Sequence, residues 1–520
     1  MNPQRTKLPA KIEKIILFNQ AWMQKEGEEV NKLIFYYNGD LKGEEFSNWE
    51  NSLAIDDVNH SPTFESDEEA IKDATNSMGL SEAMINFVKN FGSQEEIYSV
   101  HGSKIRMSLK EIEPDYWLSL CLTLPKTLVA AQSSKESSAH KDQHYIEYQD
   151  DELNDYLVQT VMKQIYESFF LFHGSLQSIW EKTGKNLSHL RSVCSGFFGW
   201  FLPSLKFSMI NLIELFGAIQ YLSVDQSTYM AAQSFVNHVL SCDLSCKHIL
   251  FLFNEQLISS SLDLNNTRII YRYLISSVIP EVSSEEMSEP FRTKVLKKTR
   301  FIRTNIKVNL KEEESTSLYL MNVYRSINGA TVAILLDSTE NPLYDQILSK
   351  CDVFMSERLP ELAFKLGEIA VIGINSLENS TITSSNSLSA SSVSTSSSNL
   401  KNDLQIDSFR FAYFNESNAS FKSNAGFNGR FDHRKQSDSD FIKLIIDVKS
   451  DLRTYLLPSE GKNFIEFVAK TTNESWLVAH ETDARTLFCM LNHKNDNLVE
   501  AAESVATHLS KRFKNYLFLD

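Results

Sequence analysis

The sequence predicts an α+β protein made of repeated antiparallel sheets with flanking helices, and three observations carry that prediction. Apolar and polar residues alternate at Ile105, Met107 and Leu109 and again at Leu118, Leu120, Leu122 and Leu124, the period of strands with one buried face. Asp151 to Phe172 places Leu153, Leu157, Val161, Ile165, Phe169 and Phe172 on one helical stripe, with acidic residues at its start and Gly174 just past its end. The order strand, strand, helix, strands, helix then recurs along the chain.

In the first copy, strands Ile15 to Phe18 and Leu33 to Tyr37 flank a turn at Glu26-Gly27-Glu28-Glu29. A short helix follows at Leu80 to Phe91. Strands Ile105 to Leu109 and Trp117 to Leu124 meet across Glu113-Pro114-Asp115, which is turn chemistry. The helix Asp151 to Phe172 closes the unit. In the second copy the strands are Ile249 to Phe253 and Gln256 to Ser260, and the helix is Thr267 to Val278. A hairpin pairs Leu318 to Tyr324 with Thr331 to Leu336 across Asn328-Gly329, and the closing helix begins near Pro342. Strands Phe441 to Val448, Phe464 to Ala469, Trp476 to Ala479 and Thr486 to Leu491, then a helix Leu498 to Phe513, resemble the later part of a third copy whose first helix is not evident.

Strand–strand–helix–strands–helix is the order of a longin or roadblock sheet, a module used mostly to bind GTPases and other longins. The predicted class is therefore α/β (α+β), with three longin/roadblock-like domains, each an antiparallel sheet with flanking helices. The boundaries are 1–175 for the first domain, 176–245 for a helical connector, 246–372 for the second domain, 373–440 for a Ser-rich flexible linker and 441–520 for the third.

Composition bounds the function. A chain of 520 residues has a length prior of about three or four domains. Its 33 phenylalanines supply ample core material. The net charge of −16 argues against sequence-independent nucleic-acid binding, which needs clustered Lys and Arg. It argues equally against adsorption of the whole protein on an anionic membrane, so membrane contact must be local or partner-supplied. Cys121, Cys194, Cys242, Cys246, Cys351 and Cys489 sit mostly in apolar surroundings with no secretory signal, which reads as buried, reduced thiols in the cytosol. The apolar stretch Phe197 to Leu222 is interrupted by Lys206, Asn211 and Glu214 and broken by Pro203. It falls short of the ~18 apolar residues a membrane span needs and reads as a core or interface helix.

Three segments look unlike core. Residues 40–77 carry eleven acidic residues against two lysines and are expected to form a solvated loop inserted in the first domain. Ala130 to His144 is a second polar loop. Between Ser376 and Leu400, twelve of 25 residues are serine, too little apolar surface to offset ordering entropy.

No catalytic signature emerges. Gly184-Lys185 lacks the upstream glycine of a phosphate-cradling loop, and there is no G-x-G-x-x-G after a strand and no G-x-S-x-G elbow. His140 and His144 have helical spacing but lack the glutamate of the zinc-protease motif. His238, Cys242, Cys246 and His248 mix soft ligands, yet run from a helix into a strand; buried thiols with surface histidines is the favoured reading. No metal and no cofactor are expected.

Two features point to partners. Arg292 to Lys307 holds seven basic residues and no acidic one. A solvated strand face opposite an acidic loop is the favoured reading. The sharper one is contact with phosphoinositide headgroups through Lys294, Lys297, Lys298, Arg300 and Arg303, each adding on the order of 1 kcal/mol at an anionic surface. On the short helix, Leu80, Ala83, Met84, Phe87 and Phe91 form a stripe sufficient to cover a sheet. Ile85 and Val88 lie beside it and widen the apolar arc to about 200°, beyond the ~100° needed. Extra core burial and a partner helix explain that excess equally well. Leu80, Glu82, Ile85, Val88 and Lys89 are the candidate partner-binding residues, and Glu26, Gly27, Glu28 and Glu29 the candidate GTPase-facing turn.

The first unit resembles the Ccz subunits of the Mon–Ccz complexes. The matching stretches are the Ile-Leu-Phe-Asn strand at Ile16, Glu26-Gly27-Glu28-Glu29, Gly79-Leu80-Ser81-Glu82-Ala83, Tyr116-Trp117 and Ile146-Glu147-Tyr148-Gln149. Leu215-Phe216-Gly217, Thr228-Tyr229, Gln233-Ser234-Phe235, Asn254-Glu255-Gln256-Leu257-Ile258 and Arg268-Ile269-Ile270-Tyr271 are similar to the family too, as are Leu491-Asn492-His493-Lys494-Asn495 and Phe518-Leu519-Asp520. The resemblance implies three longin domains and a heterodimer with a Mon-family longin protein. It implies that the pair acts as guanine-nucleotide exchange factor for the late-endosomal Rab GTPase, by non-covalent remodelling of the GTPase, with the first longin domains of both subunits as platform. It further implies recruitment by an earlier endosomal Rab and by phosphatidylinositol 3-phosphate, from cytosol to the late endosome, lysosome or vacuole. The residues leave open whether a third subunit joins. Two other readings stay open: a longin scaffold or adaptor without exchange activity, and a subunit of the related exchange complex of lysosome-related organelles.

Overall fold

The computed structural model describes residues 5–22, 27, 29–39, 68–91, 97–130, 144–150, 153–202, 205, 212–243, 245–279, 300–312, 315–326, 328–337, 344–382, 409–423, 436–455, 464–471, 474–482 and 484–491. The chain divides into two compact units, Met1–Ile210 and Asn211–Asp520.

In the first unit, strands β1 (Arg5–Leu8), β2 (Lys11–Asn19) and β3 (Leu33–Asn38) precede helix α1 (Glu68–Asn90). Strands β4 (Ile97–His101), β5 (Ile105–Glu113), β6 (Tyr116–Thr123), β7 (Lys126–Ala130) and β8 (His144–Tyr148) follow. Helices α2 (Asp155–His173), α3 (Leu176–Lys182) and α4 (Leu187–Phe201) end the unit. The main sheet has the antiparallel order β3-β2-β6-β5-β4. A small second sheet, β1-β7-β8, flanks the polar loop foreseen at 130–144, most of which lies outside the described residues.

α1 packs Ala74, Met78 and Ile85 against Ile16, Phe18, Met107, Leu109 and Trp117 on one face of the sheet. Phe35, cross-strand from Leu17 and so on the other face, stacks on Phe198 of α4 at 4.3 Å between ring centroids. Asn154 caps α2 by accepting from the Tyr156 N–H, and Gly174 at φ 80° ends it. Buried Arg106 on β5 donates to the Leu153 carbonyl at 2.5 Å and to Asp155 at 2.6 Å, fixing the start of α2 on the sheet.

In the second unit, α5 (Leu212–Phe216) and α6 (Gln226–Cys242) lead into β9 (Cys246–Phe253), β10 (Gln256–Ser260) and α7 (Leu264–Tyr273), which continues as a π turn to Val278. Then come β11 (Arg300–Lys311), β12 (Thr316–Arg325), β13 (Ala330–Asp337) and α8 (Tyr344–Ile382). The sheet order is β10-β9-β13-β12-β11, the order of the first unit again. Asn254 and Glu255, both at positive φ, form the two-residue hairpin loop between β9 and β10. The hairpin at Asn328-Gly329 is present, with Gly329 at φ 89°. α6 and α8 share one core with the sheet, through Phe235, Val236 and Val239 from α6 and Met355, Leu359 and Leu366 from α8.

Among the described residues the third copy has all five strands and its first helix. β14 (Phe409–Asn415), β15 (Ser420–Ser423), α9 (Gln436–Tyr455), β16 (Phe464–Lys470), β17 (Trp476–Thr482) and β18 (Arg485–Leu491) give the order β15-β14-β18-β17-β16. The expected α+β class with three longin-like sheets holds.

Several boundaries differ from expectation. Phe441 to Val448 is helical, not a strand. Phe441, Ile445 and Val448 are its buried face at i, i+4, i+7, and α9 is the missing first helix of the third domain. The Ser-rich region 373–440 is helical through Ile382, contains both strands β14 and β15, and overlaps the start of α9; the rest of it lies outside the described residues. The acidic insertion 40–77 gives up residues 68–77 to α1. The connector 176–245 is not a separate body, because its first helices belong to the first unit and α6 to the core of the second domain. The stretch Phe197 to Leu222 is not one helix: α4 ends at Phe201, α5 is short, and residues 218–222 are extended. Among the described residues, no helix is long and apolar enough to cross a membrane. The helix expected at Leu498 to Phe513 lies outside the described residues.

Candidate partner interface

α1 carries the candidate interface, with its faces assigned the other way round from the wheel of the short segment. The helix begins at Glu68, and its sheet-facing positions are Ala74, Met78, Ser81, Ile85 and Val88, a spacing of four and three. Ile85 is 0% exposed and Val88 packs against the same core. Both are core residues, which removes them from the candidate partner surface. Ser81 joins the buried line because its hydroxyl donates to the Ser77 carbonyl at 3.0 Å and lies within hydrogen-bond distance, 3.2 Å, of the Ser119 hydroxyl, from which it can accept.

The opposite stripe is Leu80, Ala83, Phe87 and Phe91. Leu80 is 49% exposed, Phe87 59% and Phe91 75%. The Phe87 and Phe91 rings contact each other at 4.7 Å. Met84, between the two faces, is partly buried against the core. The bulkier apolar residues of α1 thus face outward, and a contiguous exposed apolar stripe is the informative deviation for a surface helix.

Polar residues fix the helix on its sheet. Lys32 pairs with Glu82 at 2.7 Å, and Gln20 donates to Asn86 at 3.1 Å. The Lys89 ammonium lies 4.8 Å from the Trp117 ring centroid. Glu82 and Lys89 therefore border the stripe while anchoring α1. At the helix start, Asp73 accepts from Lys14 Nζ at 2.8 Å, from Asn38 Nδ2 at 3.1 Å and from the Tyr36 hydroxyl. Burial alone would raise the Asp73 pKa, but the hydrogen bonds from Lys14 and Tyr36 outweigh it and the net shift is downward. Burial would likewise lower the Lys14 pKa, yet its bond to Asp73 leaves it raised.

Of the candidate GTPase-facing turn, Glu26 and Glu28 lie outside the described residues. Gly27 takes φ 95°, and its N–H donates to Glu29 Oε1 at 3.1 Å, which with the Glu29 backbone N–H lowers that carboxyl's pKa. Of the basic run, Lys294, Lys297 and Lys298 lie outside the described residues, while Arg300 and Arg303 fall on β11, the edge strand of the second sheet.

The soft-ligand cluster does not assemble. His238 stacks on Phe354 at 5.5 Å, and His248 meets Tyr319 edge-on at 5.4 Å. Cys246 instead hydrogen-bonds Cys351, which pushes the Cys246 thiol pKa up and the Cys351 pKa down. Among the described residues, no three or more His, Cys, Asp or Glu side chains converge as a metal site. His140 lies outside the described residues and His144 opens β8.

Known proteins place this arrangement. Residues 12–174 match the model of the first longin domain of INTU, CCZ1 and HPS4, while 246–358 and 406–508 match the models of Intu longin-like domains 2 and 3. The last match takes in β14 and β15. Full-length relatives include vacuolar fusion protein CCZ1 homologs from Nematostella vectensis, 26% identical over 97% of both chains, and Xenopus tropicalis, 25% identical over 97% of this chain and 96% of the relative. A homolog from Dictyostelium discoideum is 24% identical over 96% and 95%. With one sheet order repeated three times and relatives of the same name matched end to end, the chain belongs to the CCZ1 family of vacuolar fusion proteins.

Proposed function

We propose that the chain is one subunit of a heterodimeric guanine-nucleotide exchange factor that activates the late-endosomal Rab GTPase, with a Mon-family longin protein as its partner. The observation that carries this reading is the outward apolar stripe Leu80, Phe87 and Phe91 on α1, in a chain similar over nearly its whole length to vacuolar fusion proteins. A partner helix laid along that stripe buries three large side chains, each worth about 1.5–3 kcal/mol when fully desolvated. Glu82 and Lys89 at its margin supply the polar rim common at interfaces.

Exchange requires no covalent step. The pair stabilises the nucleotide-free GTPase through differential binding of that state, so side chains that engage the GTPase do the work of catalytic groups. The product is an activated Rab on the late endosome, lysosome or vacuole, which promotes endosome maturation, autophagosome delivery and fusion. The basic run through Arg300 and Arg303 gives the complex peripheral contact with phosphoinositide headgroups, the whole chain being too acidic to adsorb by itself.

The test is release of a fluorescent guanine nucleotide from the late-endosomal Rab, measured with the chain alone and with the co-expressed pair. Acceleration by the pair and little by the chain alone is expected. Strong acceleration by the chain alone, or none by the pair, contradicts the reading.

A further inference from the structure

In the second unit, residues 216–223 touch two sheets at once. Ile219 donates its N–H to the Ala419 carbonyl at 2.7 Å and accepts from the Phe421 N–H at 3.0 Å, so it pairs parallel with the β15 edge of the third domain. The neighbouring residues turn their backbone the other way. Gln220 accepts from the Leu257 N–H at 2.7 Å, and Leu222 donates to the Leu257 carbonyl at 3.0 Å, parallel with the β10 edge of the second domain. This alternation is that of a true β-strand, with successive residues bonding opposite sides.

Side chains secure both ends. The Phe216 ring lies 5.1 Å from Phe414, 6.1 Å from Phe421 and 6.3 Å from Phe488, inside the third domain. The Tyr221 hydroxyl donates to the Asn418 carbonyl at 3.2 Å. On the second-domain side, the Tyr271 hydroxyl accepts from the Gln220 N–H at 3.3 Å and donates to the Glu255 carbonyl at 2.8 Å. Gly217 holds φ 55° beneath the Arg268 guanidinium, where a β-carbon would collide with it.

We propose that residues 216–223 are a strap that fuses the second and third domains into one cooperative unit, by adding a shared strand to the open edge of each sheet. β-Augmentation of this kind draws its stability from main-chain bonds and its selectivity from an anchored side chain, here Phe216. Because the same short strand serves both edges, opening it at one domain frees it at the other. A protein that stabilises either domain therefore protects both.

The test is amide hydrogen exchange on the full-length chain. Phe216→Ala removes the anchor in the third domain, and the amides of Leu222 and Leu257, which bond only on the second-domain side, are expected to exchange on the order of tenfold faster. Tyr271→Phe removes one hydroxyl from the second-domain side while keeping the ring. The amides of Ile219 and Phe421 are then expected to speed up in the third domain. If each variant affects only its own side, or neither moves any of the four amides, the strap does not couple the domains. Should Phe216→Ala unfold the third domain outright, Tyr271→Phe decides alone.

Discussion

Ile85 and Phe87 sit two residues apart on α1 and meet opposite surroundings: Ile85 is sealed against Ile16, Met107 and Trp117, and Phe87 stands in solvent beside Phe91. Ile85→Asp is expected to cost roughly 4 kcal/mol or more, since it removes core packing and buries an unpaired carboxylate. Phe87→Asp is expected to change stability by under about 0.5 kcal/mol, as exposed substitutions do. Urea unfolding of the full-length chain, followed by circular dichroism, separates the two. Equal losses would return Phe87 to the core.

Asp73 gives the first domain an acid-sensitive clasp. Its folded pKa lies below the ordinary carboxylate value, so its contribution is present above ~4 and lost as pH falls through the depressed value. Lys14, whose folded pKa is raised, keeps its contribution throughout that range. Asp73→Asn should destabilise near neutrality by about 1 kcal/mol at most, because the carboxylate is 39% exposed and water screens it. The difference from wild type should shrink as pH falls below ~4. Thermal melts of both proteins across this range check it; a gap that widens in acid would reverse the assigned sign.

Lys449 and Glu481 make an unequal pair in the third domain. The Lys449 side chain is 3% exposed and donates to Glu481 at 2.6 Å and to Thr486 at 3.3 Å, whereas Glu481 is 22% exposed. Glu481→Ala leaves a buried ammonium without its counter-charge and is expected to cost about 3 kcal/mol. Lys449→Met replaces the ammonium with an apolar chain of similar length and leaves a carboxylate that reaches water, at a cost of about 1 kcal/mol. Chemical denaturation that ranks them the other way would show the ammonium to be better hydrated than its burial indicates.

Most of the three sheets was legible in the sequence because their strands alternate and their hairpins carry turn residues, as at Asn328-Gly329. α1 misled because two apolar stripes compete on it. The buried one runs through small Ala74 and polar Ser81, so a window opening at Leu80 sees only two apolar members of it, Ile85 and Val88, beside a bulkier stripe that faces solvent. Phe441 to Val448 is a short apolar run, for which period alone does not separate strand from helix. β14 was missed since Phe409–Asn415 follows a serine-rich stretch and pairs with β18, far along the chain. The strap at 216–223 was invisible for the same reason, its partners Ala419 and Phe421 being set by tertiary pairing rather than by local pattern.

The measurement closest to the central claim compares two purified pairs, one with the wild-type chain and one carrying Leu80→Asp with Phe87→Asp, for partner affinity and for nucleotide release from the late-endosomal Rab. Burying either carboxylate in an apolar interface costs several kcal/mol, so affinity for the Mon-family partner should fall at least about 100-fold, near 2.7 kcal/mol. Exchange should fall with it at limiting concentrations, while the chain keeps its own stability. Undiminished affinity and exchange in the double variant would show that the outward face of α1 is not the surface on which the complex is built.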